Sequence, residues 1–285
     1  MSRYTYFNDT QSMKHSIFIL TLLVLNLQAF AQENTTQEIR VPLSKPNETG
    51  ILEASLISGS ITVIGSNTKE IVIKASLGKS DTKPRGKEEA GGLKWIANNS
   101  LGITVEEQNN MVEVSSEAMN RIVNLEIQVP QNFSLKLGTV NHGNLVVRNV
   151  NGNFELDNVN GSITLENVSG NAVANTTNGP VKANFLRWDN KSPMAFSTLN
   201  GDVDITLPAN SKFSAKLNSD MGEIYTDFEL AQDTRKAQAK AEGRSDGGVY
   251  RVSTADFITG KVNGGGAEIM VKNMHGNIYL RKAKK

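Results

Sequence analysis

Apolar and polar residues alternate in short runs along most of this chain, and glycine punctuates the runs. Between Gly143 and Gly179 the punctuation is periodic. Gly143, Gly152, Gly161, Gly170 and Gly179 stand nine residues apart. The second and fourth positions after each glycine are apolar: Leu145/Val147, Phe154/Leu156, Ile163/Leu165 and Ala172/Ala174. Alternation with period two is the pattern of a strand with one buried face. A short fixed period marks a rung that cannot bury its apolar face alone and must stack on its neighbours. Position six of the repeat is Asn149, Asn158, Asn167 and then Thr176; position seven is Val150, Val159, Val168 and then Thr177. Asn-Val-x-Gly therefore predicts a corner with an inward apolar plug, in which Asn and Gly accept positive φ at low cost.

A longer unit surrounds this ladder. Pro46 precedes Gly59 by thirteen residues, Pro130 precedes Gly143 by thirteen, and Pro208 precedes Gly222 by fourteen. Each proline leads into an alternating strand (ILEASL, FSLKL, FSAKL), and each glycine into a second one (SITVI, NLVV, EIYTDF). His275-Gly276-Asn277-Ile278 echoes His142-Gly143-Asn144-Leu145. Stacking at eighteen residues or slightly more sets Arg148 over Glu166 and Asn149 over Asn167. Stacking at nine would set Asp157 beside Glu166, a like-charge contact that costs energy. The expected fold is all-β: a right-handed parallel β-solenoid, or single-stranded β-helix, over residues 49–285. Gly78–Gly92 and the stretch 232–248 lack apolar period and read as charged exposed loops, with a helical turn or two at Ala237–Glu242. Residues 32–48, with Pro42 and Pro46, read as a linker.

The N-terminus carries an export pattern. Lys14 and His15 precede an apolar run from Ile17 to Leu27, and Ala29-Phe30-Ala31 follows. That is a secretory signal with cleavage expected after Ala31; Met13, which opens it, is an alternative start. The run is shorter than the ~20 residues of a membrane span, so no transmembrane segment is expected in the mature chain. Periplasm, cell surface or secretion is the expected location.

The residues Val129-Pro130…Gly143-Asn144-Leu145, Asn160-Gly161-Ser162-Ile163-Thr164-Leu165 and Asn200-Gly201-Asp202-Val203-Asp204-Ile205 carry a resemblance. They are similar to the bacterial "putative adhesin" family of exported β-strand-repeat proteins and to the related head domain of autotransporter adhesins. The resemblance covers roughly residues 50–285. It implies a β-solenoid at the cell envelope and brings no catalytic residues with it.

Composition removes several chemistries. The 285 residues include 30 basic and 29 acidic side chains, so no electrostatic footprint for nucleic acid arises. There is no cysteine, hence no disulfide, thiolate metal site, cysteine nucleophile or lipid-attachment thiol. The repeat lacks the recurring Asp of calcium-binding nonapeptides. His142 and His275 occupy equivalent turn positions, and two histidines fall short of a metal site. Asp202 with Asp204, or Asp157 with Glu166, could supply a carboxylate pair for sugar hydrolysis, but alternating acids are usually the polar half of a strand. Gly264-Gly265-Gly266 has no helix after it and reads as a corner, not a phosphate cradle. Trp95 and Trp188 are the candidate sugar platforms; a core role is the commoner fate of so large a ring, and Trp188 is the better ligand-contact candidate of the two. The expectation is a non-enzymatic exported adhesin or scaffold, without cofactor or metal, that binds a glycan, envelope or protein partner. The competing readings are a carbohydrate-active β-helix enzyme and an envelope-stress sensor that captures a partner by strand addition near His275–Leu280.

Overall fold

The computed structural model describes residues 36–78, 101–116, 118, 121–232, 240–242, 251–253 and 257–284. Most described residues are in strands, and twenty of the strands join one continuous sheet. That sheet folds on itself into two facing walls. Each layer contributes one strand to wall A, turns a corner, and contributes one to wall B. The 16-residue strand Ile163–Asn178 runs through both walls, which keeps the hydrogen bonding continuous.

Eight layers stack in parallel register. In spatial order, layer 1 is Met111–Ser116 with Val123–Pro130, and layer 2 is Gly50–Ser58 with Ile61–Ser66. Layer 3 is Phe133–Asn141 with Leu145–Arg148. Layer 4 is Asn151–Asn160 with the first half of Ile163–Asn178, and layer 5 is the second half of that strand with Val181–Arg187. Layer 6 is Met194–Asn200 with Val203–Leu207, and layer 7 is Glu268–His275 with Ile278–Lys282. Layer 8 is Phe213–Ser219 with Ile224–Thr226.

Spatial order is thus not chain order. The chain's early layer 50–66 sits between 111–130 and 133–148, and its last layer 268–282 sits between 194–207 and 213–226.

The sheet is mixed, which corrects the expectation of parallel strands throughout. Antiparallel strands finish both ends of the stack. Glu70–Leu77 lies on Val123–Pro130 with Thr36–Pro42 beyond it, and Ile103–Gln108 lies on Met111–Ser116. At the other end Ile258–Val262 lies on Phe213–Ser219, and Ala231–Gln232 lies on Ile258–Val262. Reversal at the ends caps hydrogen-bonding edges that stacking would otherwise leave bare. Thr36–Pro42, read from sequence as linker, is a strand because Val41 and Leu43 bury against the core while Arg40 bridges Glu38 and Glu70. Lys240–Glu242, read as helical, pairs antiparallel with Arg251–Ser253. The signal segment 1–31, most of the loop near 78–92, Trp95, and the remainder of 232–248 lie outside the described residues.

The nine-residue repeat resolves into two unlike corners. Gly143, Gly161 and Gly179 turn the chain from wall A to wall B. They belong to one column with Gly59, Gly201, Gly276 and Gly222, each against the backbone of the next. Gly152 and Gly170 lie at the start of wall A strands, just past the second corner, where Asn149 and Asn167 take φ of 56° and 54°. Position six therefore serves two purposes. Asn149 and Asn167 turn the chain, whereas Asn158 and Thr176 point inward and hook the glycine column. Thr139 donates to the Gly59 carbonyl (2.8 Å), Asn158 to Gly143 (3.0 Å), Thr176 to Gly161 (2.9 Å) and Thr198 to Gly179 (2.8 Å). These bonds satisfy carbonyls that the tight corner aims into the core. Position seven divides in the same way: Val150 and Val168 are the buried plugs, while Val159 faces solvent.

An amide ladder runs just before the column, where Asn200 donates to Asn178, Asn178 to Asn160 and Asn160 to Asn141. The predicted eighteen-residue stacking holds in the middle layers: Arg148 lies opposite Glu166, with Nε 2.6 Å from Oε2. It lengthens to 22 residues between layers 5 and 6.

One hook is imperfect. Asn158 Oδ1 is buried with no partner among the described residues, and layers 3, 5 and 6 place threonine at this site. Asn158→Thr should keep the bond to Gly143, remove the orphan acceptor, and raise stability by about 1 kcal/mol, read as a higher urea midpoint.

Candidate functional site

Outward positions on wall A line up across layers because the strands are in register. One row runs Glu113, Glu53, Lys136, Glu155, Val173. The next includes Ser55, Gly138, Asp157, Asn175 and Ser197. Three adjoining open concavities of about 530, 550 and 220 Å³ follow these rows. Four carboxylates (Glu53, Glu113, Glu155, Asp157) face one ammonium, Lys136, which stands 3.7 Å from Glu53. Asn175 donates to Asp157 at 3.2 Å and accepts from Ser197 at 2.7 Å. The troughs are shallow and carry an excess of carboxylates over a largely apolar floor.

The third row differs in kind. Ile57, Val140, Val159, Leu199 and Met274 succeed one another across layers 2, 3, 4, 6 and 7, with Thr177 filling layer 5. These five apolar side chains are 39–43% exposed; Met221, past the end of the layer 8 strand, is 69% exposed and bonds its N–H to the Met274 carbonyl. Five steps of ~4.8 Å make a ridge ~24 Å long. Single exposed apolar residues are ordinary; five of them aligned in six successive layers mark an interaction surface.

The residues singled out from sequence fall elsewhere. Trp188 is 7% exposed and belongs to the core. Its ring packs edge-on to Phe213, and its Nε1 donates to the Ser192 carbonyl at 3.3 Å. It offers no open ring face to a sugar. The loop after layer 5 lacks the short Asn-Val corner, and the indole fills that gap.

His142 and His275 flank Gly143 and Gly276, four steps apart in the glycine column, or ~19 Å. His142 is a turn residue with φ 55°. No group of three metal-ligating side chains occurs among the described residues.

The carboxylate pairs are not poised together. Asp202 Oδ1 accepts the Asn277 backbone N–H at 2.7 Å, and Asp204 Oδ1 accepts Arg281 Nε at 2.8 Å. Asp157 faces outward on wall A, while Glu166 lies on wall B with Arg148. Gly264 and Gly265, at φ 90° and 86°, make the turn read from sequence. The rung His275–Leu280, favoured for strand addition, is interior: layers 6 and 8 occupy both of its edges. No helix among the described residues is long and apolar enough to cross a membrane.

Two features escaped the sequence reading. The ridge was hidden because Val159 shares its motif with the buried Val150 and Val168. The other is a stacked tyrosine pair on wall B, Tyr225 exposed and Tyr279 half-buried. The available signal was the tyrosine in both EIYTDF and NIYLRK, at equivalent places after Gly222 and Gly276.

The corner glycines, the inward Thr/Asn hooks and the stacked two-strand layers define an all-β repeat protein. The chain belongs to the Toastrack DUF4097 family, whose model matches residues 9–281. No curated protein gives a significant match. Among solved structures, the chain is similar to a "putative cell adhesion protein" from Clostridium sporogenes, at 12% identity and a TM-score of 0.44, covering 87% of this chain and 100% of that one. It is similar to a "putative adhesin" from Bacteroides fragilis at 12% identity and a TM-score of 0.39, covering 87% and 97%. A "putative lipid binding protein" from Parabacteroides distasonis matches at 8% identity and a TM-score of 0.27, covering 88% and 98%.

Proposed function

We propose that the chain is a non-enzymatic, exported adhesin-like protein of the envelope or secreted space, built as a right-handed β-solenoid of parallel-stacked layers closed by antiparallel end strands, whose partner lies across the outer face of wall A. The observation that carries this reading is the row Ile57, Val140, Val159, Leu199 and Met274, aligned across layers 2 to 7 and beside open troughs rich in carboxylates. Contact distributed over such a row suits a scaffold that meets a large surface. It does not suit chemistry on a small substrate, which needs a few convergent groups in an enclosed pocket. Of the carboxylates offered by the sequence for hydrolysis, Asp202 is committed to a backbone N–H, Asp204 and Glu166 to arginines, and Asp157 to the Asn175 amide, which supports the same reading.

The test places two charges on the ridge. Val159→Asp combined with Leu199→Asp changes outward side chains, so the far-UV spectrum should stay that of the parent. Retention on immobilised envelope fractions should fall at least tenfold, a loss of about 1.4 kcal/mol. Undiminished retention would remove wall A as the binding face. Sequencing the N-terminus of the protein recovered from cells should give Gln32, and an intact apolar segment would remove the export claim.

A further inference from the structure

Large aromatic rings in this fold mostly face inward, as Phe133, Phe185, Phe196 and Phe213 do. Tyr225 in layer 8 and Tyr279 in layer 7 instead take outward positions on wall B, and Tyr225 is 51% exposed. They are register partners, so the strand spacing stacks their rings. The centroids are 5.3 Å apart and the planes meet at 11°. On the layer 6 side, Tyr279 is partnered by Asp204. The Arg281 guanidinium lies 4.8 Å from the Tyr279 ring centroid and donates through Nε to Asp204 at 2.8 Å. That hydrogen bond, followed by the carboxylate's charge, raises the Arg281 pKa above its ordinary value. Asn277 Nδ2 donates to the Tyr279 hydroxyl at 3.0 Å, which fixes the ring's polar end. Asp227 holds the Lys282 backbone N–H at 2.6 Å. An open cleft of about 260 Å³ lies along the pair, lined also by Thr226, Asp227 and Arg281.

We infer that the Tyr225–Tyr279 platform binds one ring of a neutral saccharide. A pyranose has an apolar C–H face and a rim of hydroxyls, each both donor and acceptor. The exposed tyrosine face matches the first, since an aromatic ring pairs an apolar body with a polar tip. The rim needs acceptors and donors side by side, and carboxylates next to a forked guanidinium provide both. The charged groups of the lining, Asp227 and Arg281, offset one another, so the cleft has no net charge with which to select a polyanion. A stacked pair built only to firm the last strand would need neither the half-open ring nor this mixed polar border. The inference concerns wall B and stands apart from the reading of wall A.

The experiment titrates the full chain with cellotriose and chitotriose, and with an anionic hyaluronan tetrasaccharide as comparator. Binding is followed by saturation-transfer NMR and tyrosine fluorescence. Saturable binding of a neutral trisaccharide is expected, with transfer to its ring C–H protons. Tyr225→Ala should weaken it about tenfold or more, whereas Tyr225→Phe should retain it at an unchanged urea midpoint. Val159→Asp with Leu199→Asp should bind the trisaccharide as the parent does, which separates this site from wall A. Absence of saturable binding of either neutral probe up to roughly 20 mM, equal binding by Tyr225→Ala, or preference for the anionic probe would each overturn the inference.

Discussion

Replacing Gly161 by alanine should destabilise the protein by roughly 3 kcal/mol or more, although it adds one methyl group to a residue in an ordinary backbone conformation. Gly161 is not at a positive φ, so the argument is steric. A Cβ built there would stand 1.8 Å from the Gly143 carbonyl oxygen and 2.8 Å from its carbon. That obstacle is backbone, and it is fixed from several directions. The Gly143 carbonyl accepts from Asn158 (3.0 Å), Gly161 N–H donates to the Asn178 carbonyl (2.8 Å), and Thr176 holds the Gly161 carbonyl (2.9 Å). Relief requires layers 3 and 4 to separate at the corner, which breaks the hooks above and below. Gly138→Ala is the matched control. It lies on an outward strand position, and its Cβ would meet nothing closer than 3.9 Å. It should be neutral or stabilising by about 0.4–1 kcal/mol through the unfolded chain. Urea unfolding followed by far-UV circular dichroism reads both. Equal midpoints for the two variants would show that the column is not close-packed.

The glycine ladder was legible because strand alternation and tight corners leave a local signature at fixed spacing. Leu145, Phe154, Ile163 and Ala172 are buried where the pattern put them, and the eighteen-residue stacking followed from the charge pairing of Arg148 with Glu166, the alignment of Asn149 with Asn167 and the longer Pro-to-Gly spacing. What the local signature cannot carry is which corner a given Asn-Val occupies. Asn149-Val150 and Asn158-Val159 read alike, yet the first turns the chain and buries its valine, while the second anchors inward and exposes it. The difference lies in the layer above, through the carbonyl that Asn158 reaches. The ridge stayed invisible for that reason, as did the tyrosine platform, because an outward aromatic and an inward one look the same in a single strand. Trp188 illustrates the converse. It was singled out for its size, and it is buried because of its size, filling a corner that the repeat no longer closes. Spatial order was beyond reach as well. Every layer presents the same register elements, so nothing local says that 268–282 belongs between 194–207 and 213–226.

That intercalation predicts the outcome of a truncation. Ending the chain after Gly266 removes layer 7, which is last in sequence but next to last in space. If the layers stacked in chain order, the cut would trim one end and leave the remainder intact, as nearest-neighbour stability implies. In the observed order it opens a gap. Layer 8 loses the partner of both its strands, and layer 6 loses its cover on the same side. Ile269, Val271, Ile278 and Leu280 are each at most 1% exposed. Losing four such side chains forfeits about 6–12 kcal/mol of burial, comparable with the ~5–15 kcal/mol that holds a whole domain. What then holds layer 8 to the preceding layers is the short connection 208–212, with Lys212 bonded to Asn190, and the edge contact of Phe213 with Trp188. To dock on layer 6 it would have to set Ala215 and Leu217 where Ile269 and Val271 had packed, which leaves the core underfilled. The truncated protein should therefore lose two layers for one. Limited proteolysis with mass mapping should show early cuts within 208–232 while the layers up to Leu207 resist, and the full chain should protect both regions. Continued protection of 208–232 in the truncated chain would mean that layer 8 moves directly onto layer 6, and that the order of layers is set by the presence of the C-terminal strands and not by the fit of each layer to its neighbour.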